Sequence, residues 1–325
     1  MKRFFSYLFF IAIVTISCFS CRKDLLKPKL VQRLETFSSK EDRLNKILFI
    51  NDSVGFAVGG QRFFNGLILK TEDGGEHWQP IYLPDNGNGI YGITNSPFNE
   101  LFTIGFSGKM MRSDNEGKDW TMVQTRYEEY KDLFFSTPQW GAAIGGISFQ
   151  TGYIMYLNAG GEVYRRDSLA NELNDIEMKN AKEGYICGYG VVYKTDDSMK
   201  TWTLLDVKND NFTSVQLIEN QVWICGYNGS IFYSGDDGAH WQRKRNGNDL
   251  TKPRYRLLDI YFTDADHGYA CGENGLLIYT DDRGEHWMEY ERFTHVHLRN
   301  IAHRKDGTLF ICGDEGSLFK LQPRQ

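Results

Sequence analysis

One short pattern occurs five times in this chain and constrains its fold more than any other feature. A hydroxyl residue is followed after two positions by Asp or Asn, after four by a residue that is usually glycine, and after seven by tryptophan. The Asp or Asn and the Trp of the five copies are Asp73 and Trp78, Asn115 and Trp120, Asp197 and Trp202, Asp236 and Trp241, and Asp282 and Trp287. This spacing suits a turn between two strands: the polar side chains accept bonds from turn amides, the glycine takes a positive φ, and the tryptophan fills space between sheets. The pattern predicts repeated β-sheets and a structural role for these residues.

A second repeat gives the number of sheets. Apolar strands that end in glycine recur 38 to 46 residues apart, at Gly59, Gly105, Gly145, Gly188, Gly226, Gly272 and Gly313. Seven units of this length match the four-stranded blades of a propeller. We therefore predict an all-β fold, a seven-bladed β-propeller of four-stranded antiparallel blades over residues 44–325.

Three blades depart from the regular pattern. The seventh ends with a strand at 317–321 and has no outer strand, which we expect residues 30–37 to supply, closing the ring and removing an exposed sheet edge. The third has a predicted strand at 161–166 with no motif or tryptophan after it, and the fourth has Met199 at the glycine position. We expect both of these blades to be locally irregular.

The first residues are typical of an export signal. Lys2 and Arg3 precede an apolar run that is too short to span a bilayer comfortably. The segment around Cys18 and Cys21 resembles a bacterial lipoprotein cleavage site, and we predict a signal peptide at 1–20, lipidation of Cys21 with Cys18 as the alternative, and a tether with the closing strand at 21–43. Cleavage with simple release is the other interpretation. A lipid anchor predicts an exported protein on the outer membrane, facing the periplasm or the cell surface.

Charge and cysteine content exclude several classes of function. Cleavage after residue 20 changes the formal net charge from −5 to −7, because only Lys2 and Arg3 are lost, so nothing favours nucleic-acid binding. Four cysteines precede the repeated glycines, at Cys187, Cys225, Cys271 and Cys312. Because equivalent positions in neighbouring sheets stay about 10 Å apart, we interpret these cysteines as small buried hydrophobic residues. We predict no cofactor and no metal, and a monomer.

Candidate binding residues belong to one face of the propeller. The turns between the second and third strands and the connections between blades share a face, opposite the five motif turns. Its richest stretch is 242–256, which carries Arg243, Lys244, Arg245, Lys252, Arg254, Tyr255 and Arg256. On an acidic protein such a patch favours an acidic protein partner, a phosphate or an anionic glycan, and we predict protein binding. A solvated loop without a ligand is the alternative.

Other residues suggest chemistry less specifically. Asp132, Asp175 and Asp259 lie in or beside predicted inner strands, where glycosidases on propellers place carboxylates, but their similar register favours an architectural role. His295 and His297 have the spacing of two metal ligands, but a third is not apparent.

The unit from Gly268 to Trp287, with its glycine-ended strand and motif turn, resembles the photosystem II assembly and stability factor family. Members of that family are exported, seven-bladed propellers with Asp-box (BNR) repeats. The resemblance covers nearly the whole mature chain and implies a non-enzymatic scaffold or assembly factor that binds other proteins, although the lipoprotein-like start does not fit a photosynthetic role. Sialidase-like glycoside hydrolases and glycan-binding propellers also carry Asp boxes and are the competing class, but their opening arginine segment and six-bladed count do not match.

Overall fold

The computed structural model describes residues 25–84, 87–123, 125–137, 140–247 and 254–322. Within these ranges, strands form seven four-stranded antiparallel sheets. The first strand, β1 (Leu30–Arg33), belongs to the last sheet. Blades one to three are built from β2 (Arg43–Phe49), β3 (Gly55–Gln61), β4 (Asn65–Thr71), β5 (Gln79–Pro80), β6 (Ile90–Asn95), β7 (Leu101–Gly105), β8 (Met110–Ser113), β9 (Thr121–Val123), β10 (Tyr130–Phe135), β11 (Trp140–Ile147), β12 (Thr151–Asn158) and β13 (Val163–Ala170).

The remaining blades follow in chain order. Blades four to six are built from β14 (Leu173–Met178), β15 (Gly184–Gly188), β16 (Val191–Thr195), β17 (Thr203–Leu204), β18 (Phe212–Ile218), β19 (Gln221–Gly226), β20 (Ile231–Ser234), β21 (Gln242–Arg245), β22 (Leu257–Phe262), β23 (Gly268–Gly272), β24 (Leu277–Thr280) and β25 (Met288–Glu289). Blade seven combines β26 (Leu298–His303), β27 (Leu309–Gly313) and β28 (Leu318–Gln322) with β1. The predicted seven-bladed propeller is confirmed.

The N-terminal strand closes the ring as predicted. Antiparallel pairing places Leu30 opposite Gln322 and Arg33 opposite Phe319. The strand is shorter than the predicted range 30–37, but Leu34 still donates its N–H to the Leu318 carbonyl at 2.8 Å. The predicted signal peptide, Cys18 and Cys21 lie outside the described residues. In the part of the chain that the structure describes, no helix has the length and apolar character needed to span a membrane.

The repeated glycines are required by close backbone contact. Each inner strand carries a bulge near the repeated glycine of the strand beside it. A methyl group added at Gly59 would lie 1.8 Å from the Arg43 carbonyl oxygen, and one at Gly272 would lie 1.9 Å from that of Arg256. No larger residue fits there without moving the backbone, which explains why glycine ends this strand in every blade.

The cysteines lie in the apolar core between blades. Cys187, Cys225, Cys271 and Cys312 are free thiols and fully buried. Pairing with the inner strands places them in the same register as Val58 of blade one. Burial raises the pKa of these thiols well above the usual value. Their interpretation as small buried hydrophobic residues is confirmed.

The motif turn of blade one shows how the repeated residues are used. Thr71 Oγ1 donates to Asp73 and accepts the Gly75 N–H at 2.9 Å. Asp73 Oδ1 also accepts the His77 N–H at 3.0 Å, and the Trp78 indole donates to the Gly75 carbonyl at 3.1 Å. Although slight burial acts to raise the pKa of Asp73, these bonds lower it to about 2. In the other four copies the hydroxyl likewise donates to the side-chain oxygen of the Asp or Asn and accepts the N–H of the residue at the glycine position.

The structure corrects the sequence interpretation of blades three and four. The segment predicted as a strand at 161–166 straddles a turn and the first half of the fourth strand β13, because β12 supplies the third strand. Asn158 caps the turn by accepting the N–H groups of Gly160 and Glu162 at 3.0 and 2.9 Å, which replaces the motif. In blade four, Met199 adopts φ 63° and donates its N–H to Thr195 Oγ1 at 3.1 Å, as the glycines do. The predicted irregularity of this turn was wrong.

Candidate functional site

The two faces of the propeller carry different residues. The turns between second and third strands, together with the connections between blades, form one face, which we call the loop face. The motif turns and the turns between first and second strands form the opposite face, which we call the motif face. The motif residues bond within their own turns, whereas the turns of the loop face differ in sequence from blade to blade.

An arginine and aromatic cluster covers the loop face at blades one and two. Phe63 and Phe64 are 62% and 76% exposed in the β3–β4 turn. The Arg62 guanidinium lies 5.2 Å from the centre of the Phe63 ring and 4.7 Å from that of Phe106, and the two rings meet edge to face at 4.9 Å. Glu129 fixes the arginine by an ion pair of 2.7 Å. The cluster is thus held in place while its aromatic surface faces solvent.

Aromatic residues continue around this face through blade five. Phe149 and Tyr189, in the second-to-third-strand turns of blades three and four, are 54% and 43% exposed, and their rings lie 4.9 Å apart. Tyr227 occupies the equivalent turn of blade five. In blades six and seven these turns carry Glu273 and Glu315 instead. The loop face is therefore aromatic over five blades and acidic over two.

The predicted basic segment does not form a single loop. Arg243, Lys244 and Arg245 lie in β21, the outer strand of blade five, which corrects the loop assignment. Lys244 pairs with Glu285 of the next motif turn, and Arg245 donates to the Gly229 carbonyl, so both cations are used within the protein. Arg243 is exposed beside the Phe232 ring, with its guanidinium 5.2 Å from the ring centre. The alternation of strand side chains explains why these three residues do not point the same way.

The second half of the basic segment reaches the loop face. Arg254 is exposed, and Arg256 stacks 4.5 Å from the Tyr227 ring centre while it pairs with Glu273 at 3.3 Å. Tyr255 accepts a bond from Asn274 at 3.3 Å, and Lys252 lies outside the described residues. The structure therefore places a second arginine and aromatic cluster between blades five and six, and separates it from Arg243 and Lys244.

The channel acids connect neighbouring blades. Asp175 accepts the Val215 N–H at 2.8 Å, and Asp259 accepts the Ile301 N–H at 2.8 Å. Asp132 accepts the Ile176 N–H at 3.5 Å and pairs with Lys46, which reaches across from blade one. Each of these acids follows the bulge of its inner strand. The expectation of an architectural role agrees with this geometry.

Electrostatics in the channel follow from burial. Burial raises the pKa of Glu177 to about 8, although the Leu217 N–H bonded to it at 2.8 Å acts in the other direction. Burial likewise raises the pKa of Asp259 to about 6. For Lys46, burial acts to lower the pKa, but the nearby Asp132 and Asp175 outweigh it and raise the value. Lys46 thus partly compensates the acids close to it.

His297 and His77 have structural partners. His297 Nδ1 accepts the Asn274 N–H at 3.1 Å, and His77 lies 2.6 Å from Asp73. Across the described ranges, no group of three His, Cys, Asp or Glu side chains is arranged to hold a metal ion.

Sequence reasoning missed Phe149 and the central position of Lys46. Phe149 follows the repeated glycine Gly145 by four residues, the same offset at which Phe63 follows Gly59, and this register would have identified it. Lys46 gave no comparable signal, since its role depends on the distance across the channel.

Comparisons with known proteins agree with the architecture. No family model matches the chain, and no curated protein compared with it does. A solved structure described as YCF48 bound to D1 peptide is 15% identical, with a TM-score of 0.70, over 92% of this chain and 96% of that one. YCF48 from Cyanidioschyzon merolae is 19% identical, with a TM-score of 0.70, over 90% and 98%. The WD40 propeller domain of Doa1 is 8% identical, with a TM-score of 0.72, over 93% and 98%. At these identities the chain shares with all three a propeller fold.

Proposed function

We propose that this protein is an exported, lipid-anchored and non-enzymatic binding module that docks a protein partner on its loop face. The observation that carries this proposal is the cluster of Arg62, Phe63 and Phe106, in which Arg62 and Phe63 are exposed and Phe106 is half-buried. Arginine and aromatic side chains contribute most to binding energy at protein interfaces when a partner covers them. Because Glu129 and the ring contacts hold this cluster in place, little side-chain entropy remains to be lost on binding.

Fold likeness supports the same role. One of the similar structures is described as bound to a peptide, which indicates that a propeller of this shape can accept one. The motif turns, which we take to be Asp boxes, supply the scaffold. The carboxylates of the channel accept backbone N–H groups, which favours a structural role over hydrolysis.

The lipid anchor rests on the sequence around Cys21. We expect the mature protein on the outer membrane, facing either the periplasm or the cell surface. Incorporation of labelled palmitate that is lost in a Cys21→Ala variant and kept in Cys18→Ala supports the proposal. If the label is lost in Cys18→Ala and kept in Cys21→Ala, Cys18 is the lipidated residue. If the wild-type protein takes up no label, the proposal of a lipid anchor is refuted.

Binding is tested by capturing the full chain from its native membrane, purifying the protein that copurifies, and measuring its affinity directly. The double variant Phe63→Ala with Phe64→Ala should weaken binding by about tenfold or more, equivalent to about 1.4 kcal/mol. Phe98→Ala removes a comparably exposed aromatic residue, 57% exposed, from the β6–β7 turn on the motif face and serves as the control. Equal affinity of the double variant and the control refutes the loop-face site.

A second pair of variants tests the predicted basic patch. Arg243→Glu with Arg254→Glu reverses two exposed arginines of the patch and spares Arg245, which is bonded to Gly229, and Arg256, which pairs with Glu273. The affinity of this double variant for an acidic partner should be lower than that of the wild-type protein, and the difference should be larger at low salt. Unchanged affinity removes these residues from the interface. Turnover of any substrate in a fluorogenic glycoside panel would instead favour the sialidase-like class.

A further inference from the structure

A cleft of about 1000 Å³ opens between blades six and seven, on the motif face. Its blade-six wall includes Tyr269 and Tyr279, whose ring centres lie 5.0 Å apart, and His303 lines the wall of blade seven. Lys27 and Lys29, in the segment that leads into β1, stand at its edge. Tyr269 is 6% exposed and Tyr279 is half-buried, so the floor of the cleft is aromatic. Two acids, Asp281 and Asp306, line the cleft as well, and Asp306 pairs with Arg304.

The cleft exists because blade seven has no turn between its third and fourth strands. At the other six boundaries among the described residues, the turn of one blade packs against the second strand of the blade before it. A methyl group added at Gly75 would lie 2.4 Å from the Phe310 ring, and one at Gly284 would lie 2.6 Å from the Trp223 ring. Tyr269 is the equivalent residue of blade six. The fourth strand of blade seven is β1, so no such turn reaches Tyr269.

The filled boundaries show which chemistry fits this position. Besides a glycine and a tryptophan, three of the turns place an acid against a lysine of the preceding blade. Glu76 pairs with Lys320, Glu285 pairs with Lys244, and Asp237 lies 3.1 Å from Lys179. In each pair the acid is adjacent to the turn's glycine. An acidic side chain close to an aromatic one is therefore the combination that this architecture accepts between blades.

The open cleft has the kinds of residue, aromatic rings and lysines, against which the motif turns pack at the other boundaries. The tyrosine pair offers an aromatic floor, and Lys27 and Lys29 offer cations that are both exposed. Lys27 lies 3.5 Å from Glu291, a distance at which exposed ions interact weakly, so the pair exchanges readily for a new acid.

We propose that the cleft between blades six and seven binds a peptide turn of a partner protein in which an acid stands near a tryptophan. The incoming turn takes the place of the absent motif turn, with its indole against Tyr269 and Tyr279 and its carboxylate against Lys27 and Lys29. This site lies on the face opposite the loop face and does not depend on the function proposed above.

The probe is a fluorescein-labelled peptide with the sequence of residues 280–290, which contains Gly284, Glu285 and Trp287. Fluorescence anisotropy with the full chain should show saturable binding. Replacement of the tryptophan by alanine in the peptide should weaken binding by about tenfold or more. Lys27→Glu with Lys29→Glu in the protein should do the same, because it replaces the two cations that face the carboxylate of the peptide with acids.

Matched variants separate a lost site from a damaged fold. Lys182→Glu with Lys200→Glu makes the same charge change on exposed lysines of blade four, also on the motif face, and should leave affinity unchanged apart from long-range attraction. Circular dichroism should be identical for both double variants, since all four lysines are exposed. No saturable binding to the wild-type protein overturns the proposal. Equal loss in both double variants, or equal binding of the tryptophan and alanine peptides, also overturns it.

Discussion

The boundary between blades three and four offers a direct test of how motif turns and second strands fit together. At other boundaries a turn glycine faces a large aromatic residue, such as Phe56 opposite Gly117. Here both residues are exchanged: Met199 occupies the glycine position, and Ala142 occupies the position of Phe56. Both are buried in the same apolar cluster. We infer that the methionine side chain fills the volume that an aromatic ring fills elsewhere.

This inference predicts the stability of three variants. Met199→Gly removes a buried side chain, which lowers the free energy of unfolding by about 2–5 kcal/mol in typical cores. It also relieves about 1 kcal/mol of backbone strain, because residue 199 is left-handed with φ 63°. The net loss of stability should be roughly 1–4 kcal/mol. Ala142→Phe alone overpacks the boundary and costs about 1–3 kcal/mol. The double variant restores the arrangement of blade two and should be more stable than the sum of the single losses predicts, by about 1–3 kcal/mol.

Urea unfolding, followed by circular dichroism and tryptophan fluorescence, measures the free energy of unfolding when the two signals coincide. The control is Met199→Gly with Ala270→Phe, which enlarges a fully buried alanine at another boundary and should show additive losses. If Met199→Gly and Ala142→Phe are additive as well, the two residues do not share one space, and our explanation of the boundary fails.

Three further predictions concern the glycine strands, the channel and the cysteines. Gly272→Ala should lower the free energy of unfolding by more than about 2 kcal/mol, because its methyl group would lie 1.9 Å from a carbonyl oxygen. Gly160→Ala should be nearly neutral in the same urea assay, because the nearest atom to its methyl group would be 3.6 Å away. Similar losses in the two variants would contradict this account. The pKa of Glu177 is raised to about 8, so the folded state holds a proton that the unfolded state releases near pH 4.5, and the stability of the wild-type protein should decline between pH 4.5 and 8. Glu177→Gln should be as stable as wild type at pH 4.5 and more stable than wild type at pH 8.5. Parallel curves of stability against pH for the two proteins would exclude the buried acid as the cause. Cys312→Val should change the free energy of unfolding by less than about 1.5 kcal/mol. In a chain with Cys18 and Cys21 replaced by serine, the four remaining thiols should react with a disulfide reagent only after unfolding, and rapid reaction in the folded state would contradict their burial.

Much of the candidate site could be located from the sequence, but its composition could not. The order of strands assigned the turns between second and third strands to one face, because alternate turns of a propeller share a face, and these turns hold Phe63, Tyr189 and Tyr227. The sequence did not reveal that Lys244 and Arg245 are bonded within the protein, since their partners Glu285 and Gly229 lie 41 and 16 residues away along the chain. A run of basic residues indicates charge, but only contacts decide which charges remain available.

By itself, the sequence determined the repeating unit, the number of blades and the closure by the N-terminal strand. These features follow from local requirements: a turn that needs a hydroxyl and an acid, and a strand end at which only glycine fits. Tertiary structure alone decided how the last boundary is filled. The cleft at Tyr269 results from two distant segments, β1 and β28, meeting in one sheet without a connecting turn, and no local pattern encodes a turn that is missing.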